Sequence, residues 1–223
     1  MRFLFLFHFL MFLTACYTES TMKTIADQNS IIKSVLKGET HMVASALKHG
    51  ANVNATDSQK RSLLLLATQN NDLKMAQLLI EFGADVNQQD VIKDSPFLYA
   101  GATGQTELVK LYLKNGARFD VFNRYNGSAL IPACEKGHLE VVRLLANTKG
   151  FPIDHVNRLG WTALMEAVVL GDGSDTYVEV VQILIDAGCD INIPDSDGVT
   201  ALQHARNRGY TGIAKLLEAA AAK

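Results

Sequence analysis

Histidine and cysteine are the residue types in this 223-residue chain best suited to metal binding or catalysis, but their spacing favours neither role. The histidines beyond the N-terminal segment are scattered singly, at His41, His49, His138, His155 and His204. No two of them are four residues apart, and no Cys-x-x-C pair occurs. The sequence also lacks the motifs of a serine-hydrolase elbow, a phosphate-binding loop, a zinc-protease helix and a dinucleotide site. We therefore expect no catalytic residue, no cofactor and no metal.

Two acidic segments resemble cation sites in composition. Asp195-Ser-Asp197-Gly198 begins like a calcium-binding loop, but the glutamate that would complete such a loop is missing, so we interpret it as a turn. Asp172-Gly-Ser-Asp175 lies in an insertion and is interpreted as a solvated loop. Contact with a partner and calcium binding remain alternatives for this insertion.

One cysteine, Cys16, follows an apolar N-terminal segment. Arg2 precedes an apolar run over residues 3–13, which is shorter than the roughly 20 residues of a transmembrane helix and is typical of a secretory leader. Leu13-Thr-Ala-Cys16 resembles the lipobox of bacterial lipoproteins. This resemblance implies that residues 1–15 are removed and that Cys16 is lipidated. The alternative is cleavage elsewhere, with Cys16 incidental.

The lipobox resemblance also implies a location. Residues 16–23 are short and polar enough to serve as a lipidated tether, and Tyr17 in place of an aspartate favours the outer membrane. We therefore expect a bacterial cell-envelope protein that faces the periplasm and touches the membrane only through its lipid. The other two cysteines, Cys134 and Cys189, are expected to be buried free thiols.

The overall composition is that of a globular domain. The chain has a formal net charge of −2 with 48% hydrophobic and 20% charged residues. Because no strong basic field is present, we do not expect a nucleic-acid partner. We expect a monomer.

Two series of turn residues define an internal repeat. The first series has spacings of 33, 33, 33, 34 and 38 residues: Gly38, Asn71, Gly104, Gly137, Gly171 and Gly209. The second has spacings of 33, 33, 34 and 38 residues: Gly50, Gly83, Gly116, Gly150 and Gly188. Because the two series shift together, we place one extra residue between Gly137 and Gly150 and five between Gly171 and Gly188.

Each repeat has the same internal order. A polar turn such as Asp57-Ser-Gln-Lys60 is followed by a hydroxyl residue suited to capping a short helix, as at Ser62 and Thr162. The first series of turn residues then separates this helix from a second one with apolar residues three and four apart. The second series ends that second helix at a position that favours a left-handed C-cap. The pattern predicts helix-turn-helix units.

These units resemble the ankyrin repeat. Gly50-Ala-Asn-Val-Asn54 and Gly83-Ala-Asp-Val-Asn87 are similar to its closing signature, and Gly137-His-Leu-Glu-Val-Val142 to an inner one. The resemblance implies an all-α solenoid of about six helix-turn-helix units with hairpin turns, capped at both ends. The ankyrin repeat domain is expected over residues 24–219, followed by a tail at 220–223. The six units are placed at 24–56, 57–89, 90–122, 123–156, 157–194 and 195–219.

A solenoid of this kind offers a concave surface built from the turn tips and the exposed side of each first helix. Its middle units place apolar and aromatic residues beside charged ones, a combination typical of protein interfaces. The residues predicted to bind a partner are Val91, Ile92, Asp94, Phe122, Arg124, Tyr125, Arg158, Leu159 and Trp161. Glu135 and Lys136 also fall among the variable positions of this surface. For Trp161, packing on a neighbouring turn is the alternative.

We therefore expect a membrane-anchored periplasmic module that binds a protein partner and is not an enzyme. Two alternatives stay open. The protein could be an immunity or inhibitor protein against a periplasmic toxin or enzyme, or an ankyrin effector exported to a host. An enzyme built on the repeats has no support, because no set of convergent reactive residues is recognisable.

Overall fold

The computed structural model describes residues 28–222. The leader at 1–15, the lipidation site Cys16 and the tether at 16–23 lie outside the described residues. The first helix, α1, is described over residues 28–36. Eleven further helices follow in order: α2 Thr40–Lys48, α3 Leu63–Gln69, α4 Leu73–Glu81, α5 Pro96–Ala102, α6 Thr106–Lys114, α7 Leu130–Glu135, α8 Leu139–Ala146, α9 Ala163–Leu170, α10 Asp175–Asp186, α11 Ala201–Asn207 and α12 Thr211–Ala221.

The helices pack as two parallel rows. In one row α3, α5, α7, α9 and α11 each contact the next, and in the other α2, α4, α6, α8, α10 and α12 do the same. In the second to sixth units the first helix also packs on the second helix of the same unit. Residues 28–222 contain no β-strand, only an isolated bridge between Thr56 and Ser62. This is the all-α helix-turn-helix solenoid that the sequence predicts.

Hydroxyl residues begin four of the first helices as the sequence predicts. The side chain of each accepts a hydrogen bond from the backbone N–H three residues later: Ser62 from Leu65, Ser95 from Leu98, Thr162 from Met165 and Thr200 from Gln203. The first helix α7 differs, because Pro132 lacks the N–H that Tyr99 donates to the Ser95 carbonyl in the unit before (2.9 Å). The helix α7 accordingly begins only at Leu130.

The hairpin turns are held by one side chain each. Its Oδ1 accepts from the backbone N–H groups two and four residues later, and this arrangement recurs at Asp57, Asp90, Asn123, Asn157 and Asp195. Neighbouring turns are also joined, since the backbone N–H of Arg158 donates to the Tyr125 carbonyl at 2.9 Å. The turn tips are therefore fixed relative to the first helices.

Aromatic side chains at the start of two second helices tie consecutive units together. The Tyr177 hydroxyl donates to the Glu135 carbonyl at 2.7 Å, and the Tyr210 hydroxyl donates to the Gly171 carbonyl at 3.0 Å. The expected loop at Asp172-Gly-Ser-Asp175 is shorter than the sequence suggests, because Asp175 is already the first residue of α10. The insertion thus lengthens a helix and brings Tyr177 to the preceding unit.

The core runs the length of the stack. It includes Cys134, whereas Cys189 is only half-buried, and both are free thiols in the described chain. Burial raises the pKa of Cys134 far above its usual value and that of Cys189 to about 12, so both favour the unreactive protonated form. The described residues contain no helix long and apolar enough to cross a membrane.

Candidate functional site

A groove of about 430 Å³ lies where the first helices α5, α7 and α9 meet the turns of the fourth and fifth units. Helix α5 supplies Tyr99, α7 supplies Ile131 and Glu135, and α9 supplies Glu166 and Leu170. Because these three helices pack side by side, their groove-facing residues form one continuous surface. We call this surface the central groove.

Four of the residues predicted to bind a partner line the central groove: Asp94, Arg124, Tyr125 and Leu159. Tyr125 and Leu159 are each 52% exposed, which is high for large apolar side chains in a folded domain. The structure thus brings a charged pair and two exposed apolar residues, from three consecutive turns, to one place.

The other predicted residues lie elsewhere. Val91 and Ile92 are exposed at the turn of the third unit but do not line the central groove. Phe122 and Arg158 line a second, more polar groove. The Phe122 ring stacks on the His155 ring with 4.1 Å between centroids. Trp161 is partly buried and packs against the hydrophobic core.

Arg124 is held in place by two neighbours. Its guanidinium carbon lies 4.7 Å from the centroid of the Tyr125 ring, within cation–π range, and its Nη1 lies 4.0 Å from Asp94 Oδ2. Burial and the nearby Asp90 raise the pKa of Asp94, and Arg124 offsets only part of that rise. The arginine therefore compensates a carboxylate of this protein and orients the exposed tyrosine.

Glu166 on α9 is the most deeply placed charged residue of the groove, with 4% of its surface exposed. Asn157 Nδ2 donates to Glu166 Oε1 at 2.7 Å, while Asn157 Oδ1 accepts from the backbone N–H groups of Leu159 and Trp161. The same amide therefore holds the turn and the carboxyl. Burial raises the pKa of Glu166 to about 7, Glu135 adds to the rise and the Asn157 hydrogen bond opposes it.

Several groove residues were not singled out from the sequence. Glu166 and Leu170 stand in the predicted first helix of the fifth unit, where Glu166 is the one charged residue in Ala-Leu-Met-Glu-Ala-Val-Val-Leu. That isolated charge is a signal that could have marked the position. Leu170 carries no such signal, because an exposed leucine at a helix end is indistinguishable in sequence from a buried one.

The side chains of the central groove are of kinds that recognition surfaces use. Within residues 28–222, no group of three or more His, Cys, Asp and Glu side chains is arranged to hold a metal ion. The groove combines apolar side chains with one ion pair and two carboxyl groups, Glu135 and Glu166. Such a surface can bind an amphipathic segment of another molecule.

The chain is similar to ankyrin repeat proteins over most of its length. The family model described as ankyrin repeats (3 copies) matches residues 6–90 and 97–195. The crystal structure of an ankyrin repeat domain, ABAYE2397, from Acinetobacter baumannii AYE is similar with a TM-score of 0.83 and 44% identity, over 86% of this chain and 97% of that one. The crystal structure of EF0377, an ankyrin repeat protein, is similar with a TM-score of 0.82 and 40% identity, over 84% of this chain and 96% of that one.

A curated relative matches a shorter region. YahD of Escherichia coli (strain K12), which bears the name of an ankyrin repeat protein, is 43% identical over 82 residues. The alignment covers 37% of this chain and 40% of that protein, so it spans less than half of this relative.

Proposed function

Since this chain belongs to the ankyrin repeat family, whose domains typically mediate protein–protein interaction, we propose that it is a non-catalytic module that binds a protein partner through the central groove on its concave face. The observation that carries this proposal is the cluster of exposed apolar side chains around the groove, Tyr125, Leu159 and Leu170. Exposed apolar residues that are clustered, rather than scattered, mark interaction sites.

The positions of these side chains also support a binding role. Backbone hydrogen bonds between the turns and the side-chain bonds of Asn123 and Asn157 fix the tips that carry Tyr125 and Leu159. A side chain that is already ordered loses less conformational freedom when a partner binds. Tyr125 and Arg124 are also residue types that commonly dominate the binding energy of interfaces.

The test is affinity capture of the tagged chain from detergent-solubilised envelopes of its source cells. We expect one stoichiometric companion protein with the wild-type chain and at least a tenfold loss of it with the Arg124→Ala/Tyr125→Ala variant, because interface anchors each contribute on the order of 2 kcal/mol. Thermal unfolding should be almost unchanged, since both side chains are exposed.

A matched control removes an aromatic and an arginine outside the groove. Phe82 and Arg143 are both exposed and do not line the central groove, so the Phe82→Ala/Arg143→Ala chain should retain the companion. Equal capture by the groove variant and the wild-type chain would contradict the assignment of the site.

We further propose that the protein works at the bacterial cell envelope, facing the periplasm and anchored by a lipid on Cys16. The support is the N-terminal sequence, with Arg2, the short apolar run over 3–13 and the lipobox-like Leu13-Thr-Ala-Cys16. Several acyl chains on one residue anchor stably, whereas one chain binds only weakly. The intact mass of the purified chain should equal residues 16–223 plus a lipid, and a chain that begins elsewhere without lipid would refute the anchor.

A further inference from the structure

Glu166 is a nearly buried carboxyl group that pairs with no cation in the described part of the chain. Its Oε1 accepts from Asn157, and no group among residues 28–222 donates to its Oε2. Glu166 lines the central groove, and its Oε2 is not among the polar atoms that the described residues enclose completely without a partner, so a molecule that fills the groove can reach it. A buried charge without a partner costs free energy, so its position favours an external cation.

The basic side chains of the groove are already engaged. Arg124 lies between Asp94 and the Tyr125 ring, and Lys136 Nζ donates to the Ala102 carbonyl at 3.0 Å. The charged group that most affects Glu166 is instead another carboxylate, Glu135 on α7. The floor of the groove therefore has two acidic groups and no uncommitted cation within the described residues.

The rim of the groove is apolar, whereas its floor is acidic. Tyr125 and Leu159 are each 52% exposed and Leu170 is 48% exposed. A ligand suited to this site has an apolar stem that contacts the rim and a positive end that reaches the floor. Lysine and arginine side chains have this composition, because they bury their methylene stems along apolar surfaces and keep the charge at the tip.

Building on the proposed protein-binding function, we propose that the central groove receives a lysine or arginine side chain of the partner, whose charged end pairs with Glu166 and whose stem lies against Tyr125 and Leu159. Glu135 adds attraction from the same floor. The raised pKa of Glu166 is consistent with an uncompensated carboxyl, and the incoming cation lowers it. Asn157 positions the carboxyl and leaves Oε2 free for the pair.

The test uses four pools of short random peptides that differ in one central residue, fixed as lysine, arginine, norleucine or glutamate. Norleucine keeps the apolar stem and removes the charge. We expect the purified full-length chain to bind the lysine and arginine pools about tenfold more tightly than the norleucine pool, and the glutamate pool least, because a desolvated charge pair contributes more than 1 kcal/mol.

Two variants isolate the carboxyl. Glu166→Gln keeps an acceptor for Asn157 but removes the charge, so the preference for lysine over norleucine should fall below about twofold. Glu140→Gln removes an exposed carboxylate on α8 outside the groove and should leave the preference intact. Equal binding of the lysine and norleucine pools, or an unchanged preference in Glu166→Gln, would overturn the inference.

The experiment also separates this inference from the proposed function. Peptides could bind the wild-type chain without a preference for a basic residue and fail to bind Arg124→Ala/Tyr125→Ala. The groove would then be the binding site, and only the inference of a basic side chain would be refuted. If that variant binds peptides as well as the wild-type chain does, the assignment of the groove as the binding site is refuted. Absence of binding by every pool counts against the inference, because an accessible basic segment is what it requires.

Discussion

The turns of the fifth and sixth units share one arrangement of hydrogen bonds but form it with different residue types. In the fifth, the turn residue Asn157 reaches nine residues along the chain to Glu166 on α9, and in the sixth Asp195 reaches nine residues to His204 on α11. Both contacts are 2.7 Å long, and both turn residues also accept two backbone N–H groups. The local geometry is therefore shared.

The difference lies in what each pair leaves unsatisfied. Asp195 faces a histidine, and the hydrogen bond from His204 holds the pKa of that carboxyl below its usual value. Glu166 faces a neutral amide, and burial raises its pKa to about 7. In the last unit the two side chains bond to each other, whereas in the middle of the stack Glu166 Oε2 has no donor among the described residues. Under the proposed function, the same turn arrangement stabilises the end of the stack and serves recognition at its centre.

The comparison predicts its largest effect on stability for Asn157→Ala. This change removes the acceptor for two backbone N–H groups and leaves Glu166 buried without a donor, so we expect a loss of about 3 kcal/mol in the free energy of unfolding. Asn123→Ala removes the equivalent turn acceptor without affecting a buried carboxyl and should cost about 1.5 kcal/mol. Urea denaturation of both variants at neutral pH measures the difference.

The difference in the free energy of unfolding between Asn157→Ala and Asn123→Ala measures the contribution of the hydrogen bond from Asn157 to Glu166. Combining Asn157→Ala with Glu166→Gln should bring the loss close to that of Asn123→Ala, because the buried charge is then gone. Identical losses in Asn157→Ala and Asn123→Ala would show that the Asn157 amide serves only its turn.

The next test is the pH dependence of stability. The pKa of Glu166 is raised from 4.5 to about 7 in the folded chain, so folding favours its protonated form. The stability that protonated Glu166 contributes to the folded chain is fully present below pH 4.5 and is lost as the pH rises through about 7. Between about pH 4 and pH 8 the wild-type chain should lose about 2 kcal/mol relative to Glu166→Gln, a figure reduced from the full shift because Glu166 lines a groove that is open to solvent.

Denaturation midpoints of the two chains across this pH range provide the measurement. Glu140→Gln is the matched control, because it also replaces a glutamate by glutamine, but at an exposed position on α8 outside the central groove. Parallel curves for the wild-type chain and Glu166→Gln would show that the carboxyl is solvated in the folded protein, and would remove the contrast with Asp195.

The fold could be predicted from the sequence because each of its signals is local. The spacing of Gly104 and Gly137 sets the repeat, and Ser62 or Thr162 marks the start of a helix. At Gly104 the requirement is also steric: φ is +73°, and a Cβ there would lie 2.7 Å from the His138 ring of the next unit. Such requirements recur at a fixed period and are visible without coordinates.

The residues that line the central groove could be predicted only in part, because the groove is formed by the packing of residues from different units. The turn tips Arg124, Tyr125 and Leu159 could be selected as exposed, since a turn tip has few neighbours in any solenoid. Phe122 could not be separated from them, because its stacking on His155 depends on how two turns lie together. Glu166 was missed for the same reason, since its burial depends on the turn that carries Asn157.

The smallest expected effect comes from Asp195→Asn, which gives the sixth turn the residue found in the fifth. The amide oxygen can still accept the two backbone N–H groups, as Asn123 and Asn157 do, and only the charge facing His204 is lost. We expect the urea midpoint at neutral pH to decrease slightly, because the hydrogen bond between His204 and a charged carboxylate is replaced by one to a neutral amide. The lowered pKa of Asp195 contributes stability above its unfolded value of 3.8 that is lost as the pH falls, so the difference from the wild-type chain should shrink in acid. A loss as large as that of Asn157→Ala would mean that the last pair, and not the central one, is the more tightly coupled to the fold.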